Sequence, residues 1–220
     1  MAKSVNDILA QMRKSGKMQD WKGKGTFGED AVLAVVHDYY LRHGGLLYHS
    51  FSYPYASDKN NRVYLGNIFL KEDGTYTHIS KQVTDEIDIL YISPNRIFPI
   101  EVKSYHAKME VSVQHLKKNG SVQYEGMGHK HPLWQAEKHA RHLYHQIYDV
   151  LPDGNPHYIR PIVCFADRCT VRDIRSDNSK CYLPVTILNE LKGLIKDLDL
   201  PLQYGLNLPA IEKKLREIRR

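Results

Sequence analysis

"EIDILYISPNRIFPIEVKSY", residues 86–105, decides how this chain is read. Two apolar runs flank Pro94-Asn95, a pair suited to a tight turn. In the second run Phe98, Ile100 and Val102 alternate along one apolar face, which leaves Pro99, Glu101 and Lys103 on the other. In the first run Asp88 lies between Ile87 and Ile89 and shares its face with Glu86, Leu90 and Ile92. A hairpin closed at Pro94-Asn95 carries Asp88 toward the Glu101–Lys103 end. An isolated carboxylate on a buried strand costs several kcal/mol unless it is paired or binds a cation. Two readings follow. Either Glu101 and Lys103 satisfy one another, or keep one face of an edge strand wet, or two carboxylates and an ammonium converge on a site.

A third acid comes from the helix expected to start at Thr26 or Phe27 and to run to about Arg42, where His43-Gly44-Gly45 stops it. Its apolar stripe is Val32, Leu33, Val36 and Tyr40. Glu29 falls on that inward stripe in the first turn, and Asp30 does not. The positive helix N-terminus by itself also favours a carboxylate there. Three oxygen ligands from separate elements suit a hard cation such as Mg²⁺ or Mn²⁺. Such an ion lowers the pKa of bound water and neutralises a phosphoryl oxygen. A neighbouring lysine orients the attacking water or stabilises developing charge. This is equipment for phosphodiester hydrolysis.

The bulk properties are compatible with that chemistry. The 220 residues carry 42% hydrophobic and 25% charged side chains, which fits a soluble globular chain with a sizeable core. No apolar run approaches the ~20 residues of a bilayer span, and the amphipathic first residues lack the block of a secretory signal. Cys164, Cys169 and Cys181 show no paired ligand spacing, so reduced thiols in a cytoplasmic protein are expected. A net charge of +6 and a pI of about 9.0 favour a polyanionic partner and give no reason to expect a membrane.

Elsewhere the pattern predicts a helix over 4–14, a basic linker over 14–26, and a strand over 46–55 leading into a proline turn. A strand pair is expected around the turn 71–74, and a hairpin from 108–113 to 121–126. Residues 132–151 form a strong helix pattern with Pro132 in its first turn. Strands are expected at 158–166 and 180–185, then a helix over 187–198 capped by Thr186, and a basic amphipathic helix over 208–220. Helix, strands, helix, strand, helix is the order of an α/β fold with a mixed sheet flanked by helices.

Asp88, a dozen residues and then Glu101-Val102-Lys103 resemble the D…(D/E)xK core of the PD-(D/E)XK nuclease superfamily, with Ile87 where proline is usual. "GTFGEDAV" (25–32), "DEIDILYIS" (85–93), "IFPIEVKSYHA" (97–107) and "HPLWQAEKHARHL" (131–143) resemble, in order, the blocks of the nuclease-related domain, NERD. His131 stands where that family has asparagine, and Trp134 where a charged residue is frequent. The resemblance covers 26–174, and the segment 50–80 is longer than the family's usual link. It implies a restriction-endonuclease-like core over 26–175, preceded by an N-terminal helix and basic linker (1–25). A C-terminal strand and helices (176–220) would be packed on that core or appended to it. It further implies a Mg²⁺- or Mn²⁺-dependent nuclease acting mainly on DNA. Asp88 and Glu101 resemble the metal ligands, with the Val102 carbonyl as a third oxygen, and Lys103 resembles the catalytic lysine. Glu29 resembles the helix carboxylate that completes the metal shell, and Gln135 the helix glutamine that steadies the site or contacts DNA.

Other residues are read more plainly. His139, His142 and His145, spaced by three, are expected to spread over the helix surface instead of meeting at a zinc ion. With Lys130, Lys138 and Arg141 they would form a basic rim facing phosphates. Tyr53, Tyr55 and Tyr105 are the candidates for stacking on bases. The rival reading is a non-catalytic nucleic-acid-binding or scaffold module that retains the fold. A homodimer or a recruiting protein partner stays open, because 220 residues leave no room for a helicase or specificity domain.

Overall fold

The computed structural model describes residues 27–57, 63–64, 68–70, 76–78, 83–104, 108–111, 132–166 and 170–219. The expected helix over 4–14, the basic linker, Lys130, the strand at 121–126, and the side chains of Tyr55 and Tyr105 lie outside what it describes.

Helix α1 (Phe27–His43) is stopped by two glycines, as expected. Gly44, at φ 74°, donates its N–H to the Tyr40 carbonyl at 2.8 Å and so closes the last turn. Gly45, at φ 109°, lets the chain pass over the next strand: a Cβ there would lie 2.0 Å from the Ile92 carbonyl oxygen. Strand β1 (Leu46–Ser57) follows. It runs straight through Pro54, which pairs with Thr84, so the expected proline turn is not made. The short strands β2 (Val63–Tyr64), β3 (Ile68–Leu70) and β4 (Tyr76–His78) come next. β3 and β4 pair antiparallel, as the turn between them predicts.

Strands β5 (Val83–Ile92) and β6 (Ile97–Lys103) form the expected hairpin. They pair from Ile92 with Ile97 to Ile89 with Ile100. Its turn is locked by Ser93, whose hydroxyl oxygen accepts the N–H groups of Asn95 and Arg96 and donates to Asp199 at 2.5 Å. Strand β7 (Lys108–Val111) covers the start of the expected hairpin, whose turn and second strand lie outside the described residues. It pairs in parallel with β9 (Thr170–Asp173). Helix α2 (Pro132–Ile147) leads through short 3₁₀ turns to β8 (Ile162–Phe165). Residues 180–182, read as the start of a strand, belong to the short helix α3 (Asp177–Tyr182). Thr186 lies inside strand β10 (Val185–Ile187) and caps nothing. Helices α4 (Leu191–Leu198) and α5 (Leu208–Ile218) end the described chain.

Among the described residues the main sheet has the order β10-β8-β6-β5-β1-β2. It is mixed: β1, β5 and β6 are antiparallel neighbours, whereas β6, β8 and β10 run in parallel. Helices α1 and α4 cover one face through Val32, Leu33, Val36, Tyr39, Leu191 and Ile195. Helices α2 and α5 cover the other through Leu143, Ile147, Ile211 and Leu215. Burying both faces makes β6 apolar almost throughout. No helix among the described residues is long and apolar enough to cross a membrane.

Candidate active site

The regular alternation of β5 fails at Asp88. Ile89 and Tyr91 pack beneath α1, and Leu90 and Ile92 beneath α2, as a period of two requires. Ile87 then packs on the α2 side too, which the period does not allow. The neighbouring strand is distorted at the same level. His49 pairs with Ile89 and Phe51 with Ile87, which sets Ser50 against Asp88, and Ser50 has φ 47°. On the other side the β5–β6 ladder stops at Ile89 and Ile100. Asp88 replaces the lost backbone bond with its side chain: Oδ2 accepts the Val102 N–H at 2.7 Å. The sheet therefore opens where the acids were expected to meet.

Glu101 is buried, 3% exposed, on the α2 side of β6. Lys103 donates to its Oε1, so the ion pair anticipated from the sequence is made. Burial and the neighbouring Glu101 charge push the Asp88 carboxyl up to about 7, against the pull of the Val102 N–H and Lys103. Glu29, in the first turn of α1, adds to that repulsion. Its Oε2 stands 3.5 Å from His49 Nε2. Asp30, expected to face away, is also half-buried. Gly28 brings this turn close to the site: a Cβ there would meet the Ser104 Oγ at 1.9 Å and the Ala166 Cβ at 3.1 Å. Gln135 is on α2, one turn before His139, and its side-chain oxygen is buried with no hydrogen-bond partner among the described residues.

The histidines correct the sequence reading. His139 and His142 are 5% and 4% exposed, so they form no surface rim. They converge on Asp85, a residue the sequence reading left aside. His139 Nε2 lies 3.2 Å from Asp85 Oδ1, and His142 Nδ1 lies 3.1 Å from Asp85 Oδ2. Lys138 Nζ also lies 3.1 Å from Oδ2. The other nitrogen of His139, Nδ1, stands 3.1 Å from Glu101 Oε2. Burial opposes charge on all of these groups. At His139 the two carboxylates outweigh it and push the imidazole up to about 9. At His142 burial wins and the imidazole is lowered. Burial likewise works against ionising Asp85, but His139, His142 and Lys138 hold it far below the carboxylate range. His139 and Lys103 outweigh the burial of Glu101 and lower it too. A sequence signal existed: His139 and His142, three apart on α2, flank the inward stripe of Ala136, Ala140 and Leu143. Tyr53, a candidate for base stacking, is fully buried in the core.

Asp88, Glu101, Glu29 and the Val102 carbonyl are the hard oxygens that could hold a cation. Among the described residues no set of three or more His, Cys, Asp or Glu side chains is gathered as a metal site. Glu101 instead accepts from Lys103 at Oε1 and lies in ion-pair contact with His139 at Oε2, an oxygen that has no hydrogen-bond partner among the described residues. The donor chemistry nevertheless fits. Burial first, and then the charge of Glu101 on the adjoining strand, make Asp88 resist ionising, and a positive ion between the two carboxylates offsets both.

The nuclease-related domain model matches residues 24–166, which takes in α1, β5, β6, α2 and β8. No curated protein and no solved structure matches the chain. The family match includes every candidate side chain described above, and the chain belongs to the nuclease-related domain (NERD) family.

Proposed function

We propose that this protein is a Mg²⁺- or Mn²⁺-dependent nuclease that hydrolyses phosphodiester bonds, mainly in DNA. The observation that carries the reading is Asp88 set against the Glu101–Lys103 pair where β5 and β6 part. Asp88, Glu101, Glu29 and the Val102 carbonyl would hold the ion. Once bound, such an ion supplies a more acidic water and neutralises charge on the scissile phosphoryl group. Lys103 donates to Glu101, and its ammonium would orient the attacking water or stabilise the charge that develops on the phosphate. The unpartnered Gln135 oxygen can accept a hydrogen bond from that water or from the substrate. The net charge of +6 favours a phosphate chain as partner. The protein acts alone, as a homodimer, or through a recruiting protein partner.

The test is purified protein with Mg²⁺ or Mn²⁺ on single-stranded, duplex and branched DNA, and on RNA. Glu101→Ala and Lys103→Ala should each abolish cleavage while the fold is kept. Cleavage that survives both changes rejects the site. A second reading, a nucleic-acid-binding module without turnover, draws support from the engagement of both Glu101 oxygens. Salt-dependent DNA binding with no cleavage under any metal would establish it.

A further inference from the structure

We infer that His139, clamped between Asp85 and Glu101, is the positioning residue that fixes the Glu101 carboxylate for its work in the site. This rests on the nuclease reading of the same site. The geometry is a chain of contacts running from Asp85 into the site. Asp85 Oδ2 faces His142 Nδ1 and Lys138 Nζ, both at 3.1 Å. Asp85 Oδ1 faces His139 Nε2 at 3.2 Å. His139 Nδ1 faces Glu101 Oε2 at 3.1 Å. An imidazole with a carboxylate oxygen at each ring nitrogen cannot turn without losing one of them, so the ring is fixed at both ends.

That arrangement sets the direction of Glu101. Lys103 donates to Oε1, and His139 Nδ1 stands at ion-pair distance from Oε2, so the carboxylate is flanked by a cationic group on each side. Lys103 alone would leave the group free to rotate, because an ammonium is a compact charge without a preferred plane. Asp85 meets His139 directly, and His142 meets Asp85, so Asp85 acts on Glu101 through His139. Asp85 is on β5, His139 on α2 and Glu101 on β6, so the clamp also fixes the helix carrying Gln135 against the two strands that carry the acids. Groups in this supporting position typically alter metal affinity or activity by about 10–100-fold when removed.

The experiment compares wild type, His139→Ala, His139→Gln and Asp85→Asn, with Asp199→Asn as a control that disturbs the distant hairpin turn. Three readouts are taken: Mn²⁺ binding by calorimetry without substrate, cleavage kinetics, and thermal unfolding. The expected result is a half-saturating Mn²⁺ concentration raised about tenfold or more in His139→Ala and Asp85→Asn, and kcat lowered with KM little changed. His139→Gln, which keeps one donor, should fall between. Asp199→Asn should lower the unfolding temperature without moving the Mn²⁺ response. Wild-type Mn²⁺ binding and kcat in Asp85→Asn and His139→Gln would overturn the inference, even if His139→Ala does not fold. If wild type neither binds Mn²⁺ nor cleaves, the nuclease reading has failed. The clamp is then judged by a thermal double-mutant cycle between Asp85→Asn and Glu101→Gln. Additive effects there would remove the clamp as well.

Discussion

Asp88 gives one carboxylate oxygen to the backbone N–H of Val102, at 2.7 Å, across the gap where two strands cease to pair. That single bond explains how an acid can sit inside the sheet without a counter-ion of its own. It satisfies an N–H that the ladder has abandoned. It also holds the acid beside Glu101: the burial of Asp88 itself, and then the Glu101 charge, push it up to about 7. The arrangement is thus costly to the fold and useful to a cation.

The first prediction follows from that cost. Asp88→Asn keeps an acceptor for the Val102 N–H and removes the repulsion with Glu101. The variant should unfold at a temperature equal to or above wild type, with a gain of about 1 kcal/mol. Its cleavage activity should fall at least ~100-fold. Calorimetry and a cleavage assay on the same sample decide it; a variant less stable than wild type would show that the repulsion does not burden the fold.

Gly28 sets how closely α1 approaches the end of β6. Gly28→Ala places a methyl group against the Ser104 hydroxyl and against Ala166, whose N–H is tied to the Lys103 carbonyl of β6. Overpacking of this kind costs about 1–3 kcal/mol, and the helix must shift, taking Glu29 with it. We expect kcat lowered about tenfold. Adding Ser104→Gly should restore much of both losses, because it removes the nearer obstacle. An unchanged kcat in Gly28→Ala would separate Glu29 from the reaction.

Acid should expose the role of Asp85. Its carboxyl is held far below the ordinary value in the folded protein. Below about pH 4 the unfolded chain takes up a proton there and the native state does not, so stability falls as pH drops. The contribution is complete above that pH and is lost progressively on acidification. Asp85→Asn removes it. Urea unfolding between about pH 5 and 2 should therefore show a shallower loss of stability in the variant than in wild type. Parallel curves would mean that Asp85 is not specially stabilised.

Gly45 tests the packing of α1 on the hairpin. At φ 109° any side chain is strained, and a Cβ would lie 2.0 Å from the Ile92 carbonyl oxygen, a backbone atom that cannot swing aside. Gly45→Ala should cost about 2–4 kcal/mol, which lowers the unfolding temperature by roughly 5–10 °C in a domain of this size. Thermal unfolding by circular dichroism reads the change directly; a shift under ~2 °C would show that the turn can rearrange.

The sequence by itself determined the hairpin of β5 and β6, the helix that starts before Glu29, the helix that starts at Pro132, and the sheet with helices on both faces. Each is written in a local period: alternation in the strands, an apolar stripe in the helices, glycine or proline at the ends. The acid–acid–lysine grouping was legible for the same reason, since Glu101 and Lys103 are two apart on one strand and Asp88 is brought back by a four-residue turn. Tertiary structure alone decided the rest. Pro54 continues a strand because its neighbour supplies the pairing, and β7 pairs with β9, some sixty residues away. The break in alternation at Asp88 belongs to three strands at once and has no local signature. Asp85 and His139 are 54 positions apart, and a histidine pattern shows spacing but not what faces it. Local periods are set by the backbone's own geometry; the pairing of buried charges is set by which distant element fills the space opposite.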